Sequence, residues 1–218
     1  MTATEASPPH PLRQVLRSAL IGAVPRTRLI ASLPRRAGAV AVTFDDGPDP
    51  EWTPRILDVL AAHGAHATFF VVGERAARHP GIVQRIAAEG HAVGHHSWTH
   101  SEPATTSARD LLRETRQSRQ YLEQLLGRAA PLFRPPHGKL TTAKLFGLWG
   151  QGNLVVLWNH DPKDYQMADP AELTRWFTTR PLHAGDVLLL HDTHSHTAAA
   201  LPHVLDGSAW RFDALGTR

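Results

Sequence analysis

From residue 39 onward, short apolar runs alternate with amphipathic stretches. The runs at about 39–44, 67–72, 91–94, 131–134, 154–158 and 186–191 have the length and composition of buried strands, and a weaker one lies near 210–213. The stretches between them carry helix signals. Thr53-Pro54 supplies a cap residue and a first-turn proline. Pro80 opens a second helix that Gly90 ends. Ser107, with Asp110 three residues on, caps a long helix running to Leu126 and stopped by Gly127. Thr141-Thr142 and Asp169-Pro170 open two more. Six or seven strand–helix units in series predict an α/β fold with a mostly parallel sheet, either a barrel related to the eight-stranded one or an open doubly wound sheet. There is no fixed-period repeat, low-complexity tract or long linker, so a single domain is expected.

Upstream of residue 39 the pattern changes. Leu12, Val15, Leu16, Ala19 and Leu20 follow helical spacing, with Arg13 and Arg17 on other faces. Residues 1–37 therefore read as a basic leader, a short helix packed on the domain or a partly flexible segment, and residues 38–218 as the domain itself. Weak contact with an anionic membrane surface is the alternative reading of the leader. A secretory signal does not fit, because the uncharged run from Ser18 to Pro25 is short and Arg26 and Arg28 follow at once. That reading favours a cytoplasmic or peripheral location and leaves export open.

Composition sharpens three points. The 218 residues, 42% hydrophobic and 20% charged, suit one well-buried core, and no apolar run approaches the roughly 20 residues needed to cross a bilayer. The net charge of +3 is uneven: residues 1–38 hold six arginines against Glu5 alone, and the remainder carries 17 basic and 19 acidic residues. The excess positive charge belongs to the leader, so nucleic acid is not an expected partner. With no cysteine, any metal must take nitrogen and oxygen ligands.

Five groups of chemically useful residues lie at the C-terminal ends of predicted strands, the edge where parallel α/β folds build sites. Thr43-Phe44-Asp45-Asp46-Gly47-Pro48 places two carboxylates side by side, an electrostatic cost unless cations meet them; a metal for one and an arginine for the other would do so. Gly94 to His100 contains the pair His96 and His100. With fifteen histidines such a spacing arises by chance, and His91/His95 is another case, but beside Asp46 two imidazoles make an open three-ligand metal site. Phe133 to Gly138 is a proline-stiffened turn in which Arg134 could neutralise a buried carboxylate and a backbone N–H could face an oxyanion. Asp161 to Tyr165 carries two carboxylates. Leu188-Leu189-Leu190-His191 ends a buried strand in a histidine followed by Asp192. His194 and His196 read as a solvated loop.

Taken together, these motifs resemble the polysaccharide deacetylase family (the NodB-homology domain, carbohydrate esterase family four). The resemblance covers about residues 38–215, in the family's motif order: TFDDG, a histidine pair, an R-P-P-x-G turn, a D-x-x-D-aromatic segment and L-x-L-H. It implies a deformed (β/α) barrel of about seven parallel strands with a groove across its top. It also implies that Asp45 is the general base and that Asp46, His96 and His100 bind one divalent metal. Arg134 would orient the base, the backbone amide of His137 would help bind the oxyanion, and His191, tuned by Asp164, would be the general acid. Zinc suits the ligand set, with cobalt, nickel, manganese and iron open. The implied activity is removal of N-linked acetyl groups from an N-acetylated oligo- or polysaccharide by a monomer. An O-acetyl esterase of the acetyl-xylan type, a small-amide hydrolase and a non-catalytic glycan-binding protein are the alternatives. Three positions depart from the family pattern: His137 for tyrosine, Tyr165 for tryptophan, and His95 for asparagine. The last could compete as a ligand or adjust the metal's surroundings. Trp98, Trp149 and Trp158 could stack on sugars or simply fill the core.

Overall fold

The computed structural model describes residues 24–102 and 105–216; the leader helix expected over Leu12 to Leu20 lies outside them. Within them, eight strands form the sheet: β1 (Leu29–Ile30), β2 (Ala39–Asp45), β3 (Ala67–Val71), β4 (Ala92–His95), β5 (Leu132–Phe133), β6 (Leu154–Val156), β7 (Val187–His191) and β8 (Arg211–Phe212). Seven run in the order β1-β6-β5-β4-β3-β2-β7, every neighbour parallel, and β8 pairs with the start of β2.

The sheet curls into a deformed barrel. Past the end of β6, the backbone at His160 meets β7 (Leu189 N–H to His160 O, 3.0 Å), and below it Leu33 reaches the start of β7 (Leu33 N–H to Gly185 O, 2.7 Å). The sheet begins earlier than the apolar pattern indicates. β1, only two residues long, is too short to register as periodicity, yet it pairs with β6 and buries Leu29.

Among the described residues seven α-helices wrap the outside: α1 (Trp52–Ala62), α2 (Gly73–Arg78), α3 (Pro80–Ala88), α4 (Ala108–Leu126), α5 (Thr142–Gly150), α6 (Pro170–Thr179) and α7 (Ser195–Asp206). Ser107, Thr141 and Asp169 cap α4, α5 and α6 through their side chains. Thr53 does not cap α1. The Asp49 carboxylate takes the N–H groups of Glu51 and Trp52 instead, while the Thr53 hydroxyl accepts from Asp49 N–H and donates to the buried Asp192. Two helices lacked a sequence signal: α2 is short, and α7 carries Pro202 in its interior. His196, expected in a solvated loop, is buried in the first turn of α7.

The pleat sorts each strand into two files. On β2, Val40, Val42 and Phe44 face the helices and pack on Ile56, Leu57, Leu60 and Leu201. Ala41 packs instead with Phe70, Val156 and Val187. Thr43 and Asp45 share Ala41's parity and reach the Arg134 guanidinium, which lies over the Phe70 ring. The inner file thus turns polar toward the C-terminal end of the barrel.

Candidate active site

Arg134 organises the centre of the site. It is fully buried, its Nη1 donating to Asp45 Oδ1 (2.7 Å) and Thr43 Oγ1 (2.6 Å), with Phe70 and Trp158 rings against the guanidinium. Burial pulls its pKa down and Asp45 opposes that pull. Asp45 is 3% exposed and spends only one oxygen on the arginine; Oδ2 lies 3.7 Å from His96 Nε2.

Asp46 follows at once but points elsewhere, because the chain takes a left-handed turn there (φ 76°). Its Oδ1 sits 3.2 Å from His100 Nε2 and 3.6 Å from His96 Nε2. Burial would raise the Asp46 pKa, but the close approach of His100 and the charges of the two imidazoles outweigh it and hold the carboxyl well below the usual range. The adjacent Asp46 carboxylate raises the pKa of His100, whereas burial lowers that of His96. His96 Nδ1 donates to the Arg134 carbonyl (2.7 Å), which leaves Nε2 as the lone-pair nitrogen facing Asp46.

These three residues offer ligand atoms within 4.8 Å of one another, the one such group among the described residues. Asp46 Oδ1 is buried without a hydrogen-bond partner. An anionic oxygen lacking a donor and two convergent imidazole nitrogens are what a divalent cation takes. His95 is not part of the group. One residue earlier on the strand, it faces outward, fully buried against the Phe133 ring (5.1 Å), and burial, with the Arg119 charge, drops its pKa to about 3.

Across the cleft, His191 Nδ1 meets Asp164 Oδ1 at 2.7 Å, and the His191 backbone N–H donates to Oδ2 at 2.8 Å. The Thr197 hydroxyl also donates to Oδ2, and His196 Nε2 donates to the Asp164 carbonyl. Burial alone would lower the His191 pKa; Asp164, then Asp45 and Asp46, reverse this and lift it to about 9. The Asp164 pKa falls despite burial, since His191 bonds it. Tyr165, 47% exposed, stands edge-on to the His191 ring at 5.2 Å. His137 adopts φ 55° in the turn after Arg134, and its ring lies between His100 (5.3 Å) and Glu102. Asp45, Asp46, His96, His100, His137, Tyr165 and His191 border a cleft of about 430 Å³, with Trp158 and Lys139 on its walls. Trp98 and Trp149 lie away from it, against Tyr121 and Phe146.

Sequence reasoning overlooked a supporting layer. The Asp192 carboxylate is buried beneath the Asp46–Gly47 turn; burial pushes its pKa up to about 7 although the Thr53 hydroxyl donates to it at 2.6 Å. A β-carbon on Gly47 would collide with that carboxylate. Thr43, Thr53, His196 and Thr197 hold the site through hydroxyl or ring contacts that no spacing encodes.

A family profile described as polysaccharide deacetylase matches residues 33–148. Two proteins of Bacillus cereus, each named peptidoglycan-N-acetylglucosamine deacetylase, are similar to the chain. One is 36% identical over 160 residues, 73% of this chain and 58% of the relative; the other is 34% identical over 178 residues, 79% and 83%. The chain thus spans somewhat over half of the first and most of the second. A crystal structure of a peptidoglycan N-acetylglucosamine deacetylase bound to an N-oxidanyl-benzamide superposes with a TM-score of 0.80 at 33% identity, covering 86% of this chain and 91% of that one.

Proposed function

We propose, from the premise that this chain belongs to the polysaccharide deacetylase family, that it hydrolyses N-linked acetyl groups of an N-acetylated glycan. The observation that carries this reading is the separation of two adjacent carboxylates, Asp45 held by Arg134 and Asp46 turned toward two imidazoles. A purely structural acidic turn needs no such division.

Asp46, His96 and His100 would hold a divalent metal, zinc by the two-imidazole, one-carboxylate set. When bound, it supplies Lewis-acid polarisation of the acetyl carbonyl and lowers the pKa of the attacking water toward ~7. The chain's own groups do the rest. Arg134 fixes Asp45 through Oδ1, so Oδ2 is the oxygen left to take the proton from the water. The His137 turn borders the same cleft, and its backbone N–H is assigned to the developing oxyanion. His191 Nδ1 is committed to Asp164, so Nε2 is the acid that protonates the departing sugar nitrogen. The C–N bond breaks, leaving acetate and a free amine on the glycan. Asp164 keeps that acid protonated at neutral pH, which an amide needs because an amide anion is a poor leaving group.

The test is acetate release from N-acetylglucosamine oligomers by the zinc-loaded chain. Release that a chelator stops and added zinc restores supports the reading. No release from N-acetylated oligomers, with release from O-acetylated xylan, would replace it with the esterase activity.

A further inference from the structure

Asp46 and His100 border two clefts. One is the groove described above. The other, about 350 Å³, opens toward α2 and is bordered by Thr99, Glu74, Arg75 and Arg78, a size within the range of small-ligand sites. Its charges do not cancel. Asp46 is committed to the two imidazoles, and Arg78 pairs with Glu74 across one helical turn at 3.6 Å. Arg75 has no carboxylate within ion-pair distance among the described residues, although it is close enough for its charge to act on His100.

A solvated surface arginine is ordinary. Arg75 is likewise exposed, but among the described residues it is the one guanidinium of this cleft without a carboxylate partner, and the cleft shares Asp46 and His100 with the candidate metal site. A ligand that occupies the main groove with an acetyl group at Asp46 and continues past that point on the α2 side meets Arg75. A cation there attracts an anion and leaves a neutral sugar hydroxyl with little gain.

We propose that this second cleft is a subsite for a carboxylate carried on the sugar next to the one deacetylated, with Arg75 as its specificity-determining residue. The proposal rests on the deacetylase reading for its position along the glycan, and on the cleft's own charge for its selectivity.

Two N-acetylglucosamine oligomers of equal length test it, one neutral and one oxidised to carry a terminal carboxylate. Binding is measured by calorimetry on the zinc-loaded Asp45→Asn chain, and acetate release on the zinc-loaded unaltered chain. At low ionic strength the acidic oligomer should bind about fivefold more tightly, the scale of an exposed charge pair. High salt should erase the preference, Arg75→Gln should remove it, Arg75→Lys should retain most of it, and Arg75→Glu should invert it. Equal affinities, or a preference that survives Arg75→Gln, would overturn the proposal. Acetate released from both oligomers with no charge preference sinks the subsite and leaves the deacetylase reading standing. An Arg75-dependent preference with no acetate from either does the reverse.

Discussion

Arg134 and His96 are joined by a hydrogen bond from the imidazole Nδ1 to the arginine's backbone carbonyl, 2.7 Å long, while the arginine's side chain holds Asp45 at the same length. One residue thus sets the tautomer of a histidine of the candidate metal site with its main chain and the orientation of Asp45, the proposed base, with its side chain. The two functions separate under mutation. Arg134→Lys leaves the carbonyl in place, so zinc stoichiometry measured by atomic absorption should hold. A lysine cannot reproduce the paired contacts to Asp45 and Thr43, so kcat should fall by about 10–100-fold. Loss of zinc in this variant would show that the side chain, not the carbonyl, orders His96.

The pH profile follows from His191. Its folded pKa of about 9 lies above the ordinary value near 6.5, so the imidazolium proposed as the acid is present throughout the neutral range and is lost as pH rises through about 9. A cation held by Asp46 pulls that limit downward. Asp164→Asn removes the partner that raises it, and the alkaline limb of kcat should move toward neutral pH by at least one unit. An unmoved limb would assign the alkaline limit to another group.

Beneath the Asp46 turn, Gly47 is required by close approach rather than by φ. Gly47→Ala should cost about 1–3 kcal/mol in chemical denaturation, the range for overpacking, because the new methyl meets the Asp192 carboxylate. Asp192→Ala in the same chain should recover part of that loss, a coupling that contacting residues show and distant ones do not. Strict additivity would mean that the strain lies elsewhere.

How much of this was legible in the sequence depends on the kind of signal. Strand runs and side-chain caps were readable because they are local: Ser107, Thr141 and Asp169 cap as their spacing predicts. β1 and α7 were not, since a two-residue strand has no period and Pro202 argues against a helix that tertiary packing nonetheless completes. His95 and His96 could not be ranked from spacing alone. The pleat decides between them, and it becomes visible only once Phe133 and Phe70 show which face of the sheet each parity meets. Asp192 was visible as a neighbour of His191, but its partner Thr53, 139 residues away, was not.

The same pleat yields a further contrast. His95→Asn should keep zinc stoichiometry and acetate release, since the ring faces away from the cleft, whereas His96→Asn should lose both. Weakened zinc binding in His95→Asn would return it to the ligand set.

The division of labour between Asp45 and Asp46 is tested most directly by measuring bound zinc and acetate release together in Asp45→Asn and Asp46→Asn. Asp45→Asn should retain one zinc per chain and release no acetate, while Asp46→Asn should fail at binding zinc in the first place. Equal zinc loss in both variants, or acetate release by zinc-loaded Asp45→Asn, would contradict it.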